Sequence, residues 1–215
     1  MIDVNCYNCK SNKKKLILKQ TGKDTYLELI HKNKGSLFNK WFSCLDCGFI
    51  YRSPVLTEPE IKKMYDLYDT LVMKPDADSY FDRIFNLPKK ISENYQKCVW
   101  FKKNALKNLP SFNKISFIEV GSGSGLFMAT AKKYLNIEKI YGVEPNTKMR
   151  KLAEKKVGTK VFKRLSEVRE RFDFIFVLKV LEHIKDPRKF LKEIKKISKK
   201  ETTFFFEVPD VVDFI

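Results

Sequence analysis

Phe117-Ile118-Glu119-Val120 runs directly into Gly121-Ser122-Gly123-Ser124-Gly125, and an amphipathic segment follows. Few architectures accept that order. A short apolar strand buried on both faces, a turn built on alternate glycines and then a helix are the opening of a parallel α/β unit. The downstream pattern agrees. Residues 139–144, 160–162, 172–178 and 202–208 read as strands, and residues 126–134 and 147–157 as helices. Asn146 or Thr147 caps the second of these helices. Asp186-Pro187 opens another, with Asp at the N-cap and Pro at the first helical position. Its expected inner stripe is Phe190, Leu191, Ile194 and Ile197.

Glycines in such a turn let a ligand approach main-chain N–H groups closely. Glu144 follows Gly125 by 19 residues, at the end of the second α/β strand. A carboxylate there can accept hydrogen bonds from both hydroxyls of a ribose. The spacing is GxGxG, with Leu126 where a dinucleotide fingerprint needs a third small residue, so a nicotinamide enzyme fits poorly. The loop also lacks the Lys-Ser/Thr of a phosphate-binding P-loop. A purely structural glycine turn remains the alternative.

Cys6-x-x-Cys9 and Cys44-x-x-Cys47-Gly48 are two knuckles separated by 34 residues. Each can offer two thiolates to one face of a tetrahedral ion. Together they make a closed four-sulfur shell, the arrangement of structural zinc. Four unrelated thiols are the alternative. A redox pair is disfavoured, because neither knuckle follows a strand and opens a helix. The fifth cysteine, Cys98, lies on a helix face and reads as a core thiol.

Three regions follow from these patterns: a zinc-binding ribbon at 1–55, a helical connector or lid at 56–113, and the α/β domain at 114–215. The connector opens on Thr57-Glu58-Pro59-Glu60, a capping box, with Leu56 and Ile61 as its staple. Ile61, Met64, Tyr65, Tyr68 and Leu71 recur at helical spacing. A second helix is expected over 89–108, with the stripe Ile91, Tyr95, Cys98, Val99 and Leu106. Residues 74–87 read as a mobile flap between the two.

Lys and Arg total 43 against 26 acids, a net charge of +17. Of these bases 36 are Lys and 7 are Arg, spread along the chain. A phosphate-gripping surface recruits Arg for bidentate bonds, so charge alone makes nucleic acid a secondary expectation. No apolar run approaches a membrane span and no signal peptide is read at the start. With thiols kept reduced, the expected location is cytoplasmic.

Glu119-x-Gly121-x-Gly123-x-Gly125, Glu144, and Phe172-Asp173-Phe174-Ile175 leading to Val180-Leu181-Glu182-His183-Ile184-x-Asp186-Pro187 resemble the class I S-adenosylmethionine-dependent methyltransferases. Glu207-Val208-Pro209 extends the likeness. Upstream, Cys44-x-x-Cys47-Gly48-Phe49-Ile50-Tyr51-Arg52-Ser53-Pro54, Thr57-x-Pro59-Glu60-Ile61 and Tyr65-x-x-Tyr68 are similar to the zinc-knuckle N-termini of methyltransferases from sugar and polysaccharide pathways. The resemblance implies a Rossmann-like, mostly parallel sheet with an N-terminal zinc ribbon and helical connector. It also implies S-adenosylmethionine as cofactor and structural zinc. Gly121, Gly123 and Gly125 would line the cofactor's methionine and ribose, with Glu119, Ser122 and Pro145 beside them. Glu144 would bind the ribose hydroxyls. Leu165 or Ser166 would stand where the family places an adenine-flanking acid. Leu178 and Lys179 would border the sulfonium.

Methyl transfer is an in-line displacement in which the protein aligns the partners and, for a hydroxyl nucleophile, removes a proton. The resemblance points to His183 as the base, with Glu182 as the lesser candidate and a loop-bracing His as the alternative. Relatives that methylate quinone precursors carry Glu-x-x-Glu-His here and bind a divalent metal. Lys179-x-x-Glu182-His183 replaces the first ligand with a cation, so no metal is expected at this place. Family members continue past the fifth α/β strand with a helix and an antiparallel hairpin. The sequence therefore reads either as truncated or as leaving the apolar edge of residues 202–208 for a partner chain to cover. The favoured acceptor is a small molecule, a sugar or a polysaccharide- or lipid-linked intermediate. The alternatives are RNA or protein, gripped in part through Lys13-Lys14-Lys15 in a ribbon loop, and a non-catalytic cofactor-binding remnant.

Overall fold

Two sheets of opposite kinds organise the chain. The structure is a computed structural model that describes residues 1–20, 39–71, 76–106 and 115–209. It divides into two units, Met1–Pro75 and Asp76–Ile215, so the stretch 56–113 is shared between them.

The first unit is an antiparallel ribbon of β1 (Lys14–Gln20), β2 (Asn39–Cys44) and β3 (Ile50–Arg52) in that order, followed by helix α1 (Glu58–Leu71). Lys14 pairs with Cys44 and Ser43 with Ile50, so the strand ends converge beside the second knuckle. Lys14 and Lys15, expected in a loop, lie in β1, because alternation over Leu16, Ile17 and Leu18 is too weak to mark a strand in sequence. The capping box forms: the Thr57 amide and hydroxyl both donate to Glu60 at 2.7 Å. Leu56 is buried against Ile61 and Met64, as the staple requires. The side chains of Tyr65, Tyr68 and Leu71 lie outside the described residues.

The second unit holds five strands, all parallel: β4 (Phe117–Val120), β5 (Ile140–Val143), β6 (Val161–Phe162), β7 (Phe172–Leu178) and β8 (Ser198–Glu207). Their spatial order is β6-β5-β4-β7-β8. The chain steps outward from β4 through β5 to β6, then crosses back to the other side of β4. The order therefore reverses at β4, whose carboxyl end is the switch point where open α/β sheets place ligands. Helices α2 (Ala77–Phe85), α3 (Glu93–Asn104), α4 (Leu126–Leu135), α5 (Thr147–Val157) and α6 (Pro187–Lys196) complete the unit.

Side chains alternate across the sheet. Phe117, Phe174 and Phe176 face one core with Phe101 of α3 and Phe127 of α4. Ile118, Val120, Ile175 and Val177 face the other with Phe190 and Ile194 of α6. Glu119 shares the face of Phe117, so its carboxylate is carried into the first core.

Several expectations are corrected. The flap contains helix α2, capped by Asp76 accepting from the Asp78 amide, and Phe81 is buried in the first core; residues 72–75 lie outside the described residues. Helix α3 begins only at Glu93, because Ser92 caps it through the Tyr95 amide. Its buried face carries Cys98 and Phe101, while Val99 is 44% exposed and Ile91, before the helix, is exposed. Leu191 on α6 is also exposed, leaving Phe190, Ile194 and Ile197 inside. Strand β8 starts four residues earlier than expected, at Ser198. Phe172 pairs with Ser198 but Phe174 with Thr203, and the irregularity absorbs a polar Lys-Lys-Glu stretch that has no strand pattern.

Phe101 is the centre of the first core. Its ring lies 4.9 Å from Phe176, 5.2 Å from Phe174 and 6.2 Å from Phe117 and Phe205. Phe101→Ala should destabilise the second unit by about 3–5 kcal/mol. Val99→Ala, two positions away on the exposed face, should cost about 0.5 kcal/mol or less. Urea unfolding of both variants checks the pair.

Candidate functional site

In the first unit the four knuckle sulfurs lie within 4.8 Å of one another. Cys6 and Cys47 Sγ are 3.5 Å apart, as are Cys9 and Cys44 Sγ. Sulfurs bound to one zinc at about 2.3 Å stand about 3.8 Å apart at the corners of a tetrahedron, so the set fits such an ion. The two knuckles share one backbone plan. Cys6 accepts from the Lys10 amide and donates to the Ser11 carbonyl; Cys44 accepts from the Gly48 amide and donates to the Phe49 carbonyl. Lys10 and Gly48, at matching positions, are both left-handed, with φ of 65° and 72°. Sequence reading picks out Gly48 and misses Lys10, because lysine gives no turn signal.

Four sulfurs this close cannot all ionise without a cation among them. The Phe49 amide draws the Cys47 thiol down to about 6. Cys9, although the Ser11 amide lowers it, is pushed up to about 12 by burial and by the sulfurs of Cys47, Cys44 and Cys6. Cys98 stands apart, buried in the second unit, where desolvation pushes its thiol up to about 12.

In the second unit the carboxyl end of β4 turns through Gly121 with φ of +80°. A Cβ there would overlap Val180 Cγ2, so glycine is required both by backbone and by the loop after β7 packed on it. Gly123 is the opposite case: a Cβ would meet nothing within 4 Å. The space above Gly123 is open, and Glu144 borders it.

Glu144 is buried, and both its oxygens are engaged by backbone. Oε2 accepts from the Gly123 amide at 2.9 Å and Oε1 from the Asn146 amide at 2.8 Å. The acid at the tip of β5 thus ties down the glycine turn after β4. Asn146, not Thr147, is the cap of α5, accepting from the Lys148 and Met149 amides. Pro145 is exposed.

Glu119 is only 4% exposed, and its Oε2 has no hydrogen-bond partner among the described residues. Desolvation holds its carboxyl well above the usual range; Lys97 opposes this, while Glu144 and Glu207 reinforce it. The Ser122 hydroxyl is likewise buried and unpartnered among the described residues. Two orphaned buried acceptors beside an open glycine turn suit a ligand that brings donors or positive charge.

The loop after β7 carries the remaining candidates. Leu178 is buried in the first core and Lys179 is left-handed, with φ of 54°. The Lys179 ammonium is 2.8 Å from Glu93 and 3.7 Å from Glu207, and Lys97 is 2.9 Å and 3.0 Å from the same two acids. These four charges form a closed ring joining α3 to the ends of β7 and β8. Lys179, then Lys97, hold the Glu93 carboxyl down to about 2. Sequence reading finds Lys179 but not its pairing with Glu93 and Glu207. Glu182 and His183 lie on a single 3-10 turn, Leu181–His183, with His183 Nε2 4.0 Å from Glu182 Oε1. His183 is 57% exposed. Leu165, on the turn after β6, packs on the edge of the second core and Ser166 is exposed, so neither reaches the open space through a contact among those described. No described helix is long and apolar enough to cross a membrane.

Comparison with known proteins gives one family match: the family described as methyltransferase domain, over residues 86–214. An uncharacterized protein of Methanocaldococcus jannaschii is 30% identical over 144 residues, 60% of this chain and 64% of that protein. Among solved structures, an S-adenosylmethionine-dependent methyltransferase from Clostridium acetobutylicum aligns with a TM-score of 0.46 at 16% identity, covering 69% of this chain and 57% of its own. An amino pentose methyltransferase from Micromonospora echinaspora aligns with a TM-score of 0.48 at 12% identity, covering 63% and 57%. The chain spans less than two thirds of the length of each of these relatives.

Zinc analysis of the purified protein should give about one ion per chain, as a closed four-thiolate site requires. Cys44→Ser should lose it and Cys98→Ser should retain it; atomic emission on both variants is the check.

Proposed function

Because this chain belongs to the methyltransferase domain family, we propose that it binds S-adenosylmethionine over the carboxyl ends of β4 and β5 and transfers its methyl group to a small-molecule acceptor. The observation that carries this reading is the pairing of open space above Gly123 with the Glu144 carboxylate fixed at its border. The Glu144 carboxylate, held in place by the Gly123 and Asn146 amides, is the acceptor for the ribose hydroxyls. Gly121, Ser122, Gly123 and Gly125 supply the turn, whose amides are donated to the Val143 carbonyl, the Glu144 carboxylate and the Ser122 carbonyl, and Glu119 offers an unpaired carboxyl oxygen to the cofactor's cationic amino-acid end.

When bound, S-adenosylmethionine supplies an electrophilic methyl group for in-line displacement. The protein's part is to bind, align and exclude water. Leu178 gives an apolar wall at the end of β7. Lys179, which would border the sulfonium, stays protonated, since Glu93 first and then Glu207 raise its ammonium. His183, at the acceptor side of the sheet edge, takes the proton where the nucleophile is a hydroxyl, with the Glu182 carboxylate 4.0 Å away to stabilise the imidazolium. In the first unit Cys6, Cys9, Cys44 and Cys47 hold a zinc ion that staples the ribbon. A sugar or a polysaccharide- or lipid-linked intermediate is the acceptor class favoured by the likeness of the knuckle and connector residues. A Lys-dominated, dispersed charge speaks against a polymer gripped by phosphate.

Titration with S-adenosylhomocysteine by calorimetry tests the cofactor reading. Glu144→Ala should weaken binding roughly 10- to 100-fold, the worth of hydrogen bonds to a charged group. Gly123→Arg, which fills the open space, should abolish it. Wild-type affinity in both variants would overturn the site.

A further inference from the structure

Arg150 lies outside the segments that carry the sequence resemblance. It lies in the second turn of α5, near the positive end of the helix dipole, and the first turn holds no acid to compensate it. A basic residue there is electrostatically misplaced as far as the helix is concerned. Its contacts supply the reason. Nη1 donates to the Glu144 carbonyl at 3.0 Å and to the Pro145 carbonyl at 3.3 Å, and Nη2 donates to Thr147 Oγ1 at 3.4 Å. The guanidinium therefore clamps two consecutive peptide planes between the end of β5 and the start of α5.

Resting on the cofactor reading above, we propose that Arg150 is the positioning residue that fixes Glu144 for ribose recognition. Four hydrogen bonds fix this acid. The Glu144 amide is held by the Phe162 carbonyl at 2.8 Å, its carbonyl by Arg150, and its carboxylate by the Gly123 and Asn146 amides. The first two fix the backbone from which the side chain projects, and the last two fix its torsions. A bidentate grip on two vicinal hydroxyls tolerates little rotation, so the backbone clamp sets how well the carboxylate fits them. Arg150 need touch no part of the cofactor. Lysine cannot reproduce the role in full, because a single ammonium lacks the planar fork that spans both carbonyls and the Thr147 hydroxyl.

The test is calorimetric titration of the full chain with S-adenosylhomocysteine and with its 2′-deoxy analogue. Wild type should prefer the ribo form. Arg150→Met should lose about tenfold on the ribo form and little on the deoxy form, so the preference shrinks. Arg150→Lys should fall between. The double variant Arg150→Met/Glu144→Gln should bind no worse than Glu144→Gln alone, because both changes act through one carboxylate. Equal losses on both ligands, or additive losses in the double variant, would overturn the positioning role. If Glu144→Gln binds both ligands as wild type does, the ribose reading fails as well, which separates the two outcomes. Thermal unfolding of each variant identifies any that lose binding by losing the fold, and Arg150→Lys then carries the comparison.

Discussion

β4 is the constraint on which the second unit depends. Phe117, Ile118, Glu119 and Val120 are all buried, with parallel neighbours on both edges and a core on each face. A strand so enclosed leaves its chain only one exit, a sharp turn at the carboxyl end. Gly121 makes that turn in a left-handed conformation, with Val180 pressed against it. The same enclosure carries Glu119 into a core of phenylalanines, where burial pushes its carboxyl well above the usual range and one oxygen lacks a partner among the described residues. The open space above Gly123 thus lies at the carboxyl end of a fully buried strand.

Charge is distributed unevenly around that hollow. Glu144 is spent on backbone amides, so its negative charge helps to assemble the turn before any ligand arrives. Glu93, Lys97, Lys179 and Glu207 cancel one another in a ring that ties α3 to β7 and β8. Exposed members of such a ring contribute little to stability individually, but each lysine in it is answered by both acids.

Much of this was legible because the signals are local. The glycine turn, Asp186-Pro187, the capping box at Thr57 and the paired cysteines each depend on residues within a few positions, and each forms as the residue types require. Failures have equally local causes. Helix α2 reads as a flap in sequence because its nine residues mix polar and aromatic types; Phe81 is buried and Phe85 stacks beside it against the same core. The stripe of α3 was misread because Ile91 and Val99 are apolar yet exposed, whereas Phe101, off the expected stripe, is the residue the core uses. Ser198–Glu201 has no strand pattern and joins β8 only because β7 offers it an edge.

Sequence alone determined the order of strands and helices from β4 to β8, the two knuckles, and the pairing of a glycine turn with a distant acid. Hydrogen-bond periodicity and backbone sterics act over a few residues, so they are written in neighbouring letters. Only the tertiary structure decided that Glu144 reaches across to the Gly123 amide, that Val180 covers Gly121, that Arg150 clamps the carbonyls leaving β5, and that Lys179 answers to Glu93 and Glu207. Those contacts join segments brought together by the reversal of strand order at β4, or by side-chain directions set within the packed unit, and no local spacing encodes them.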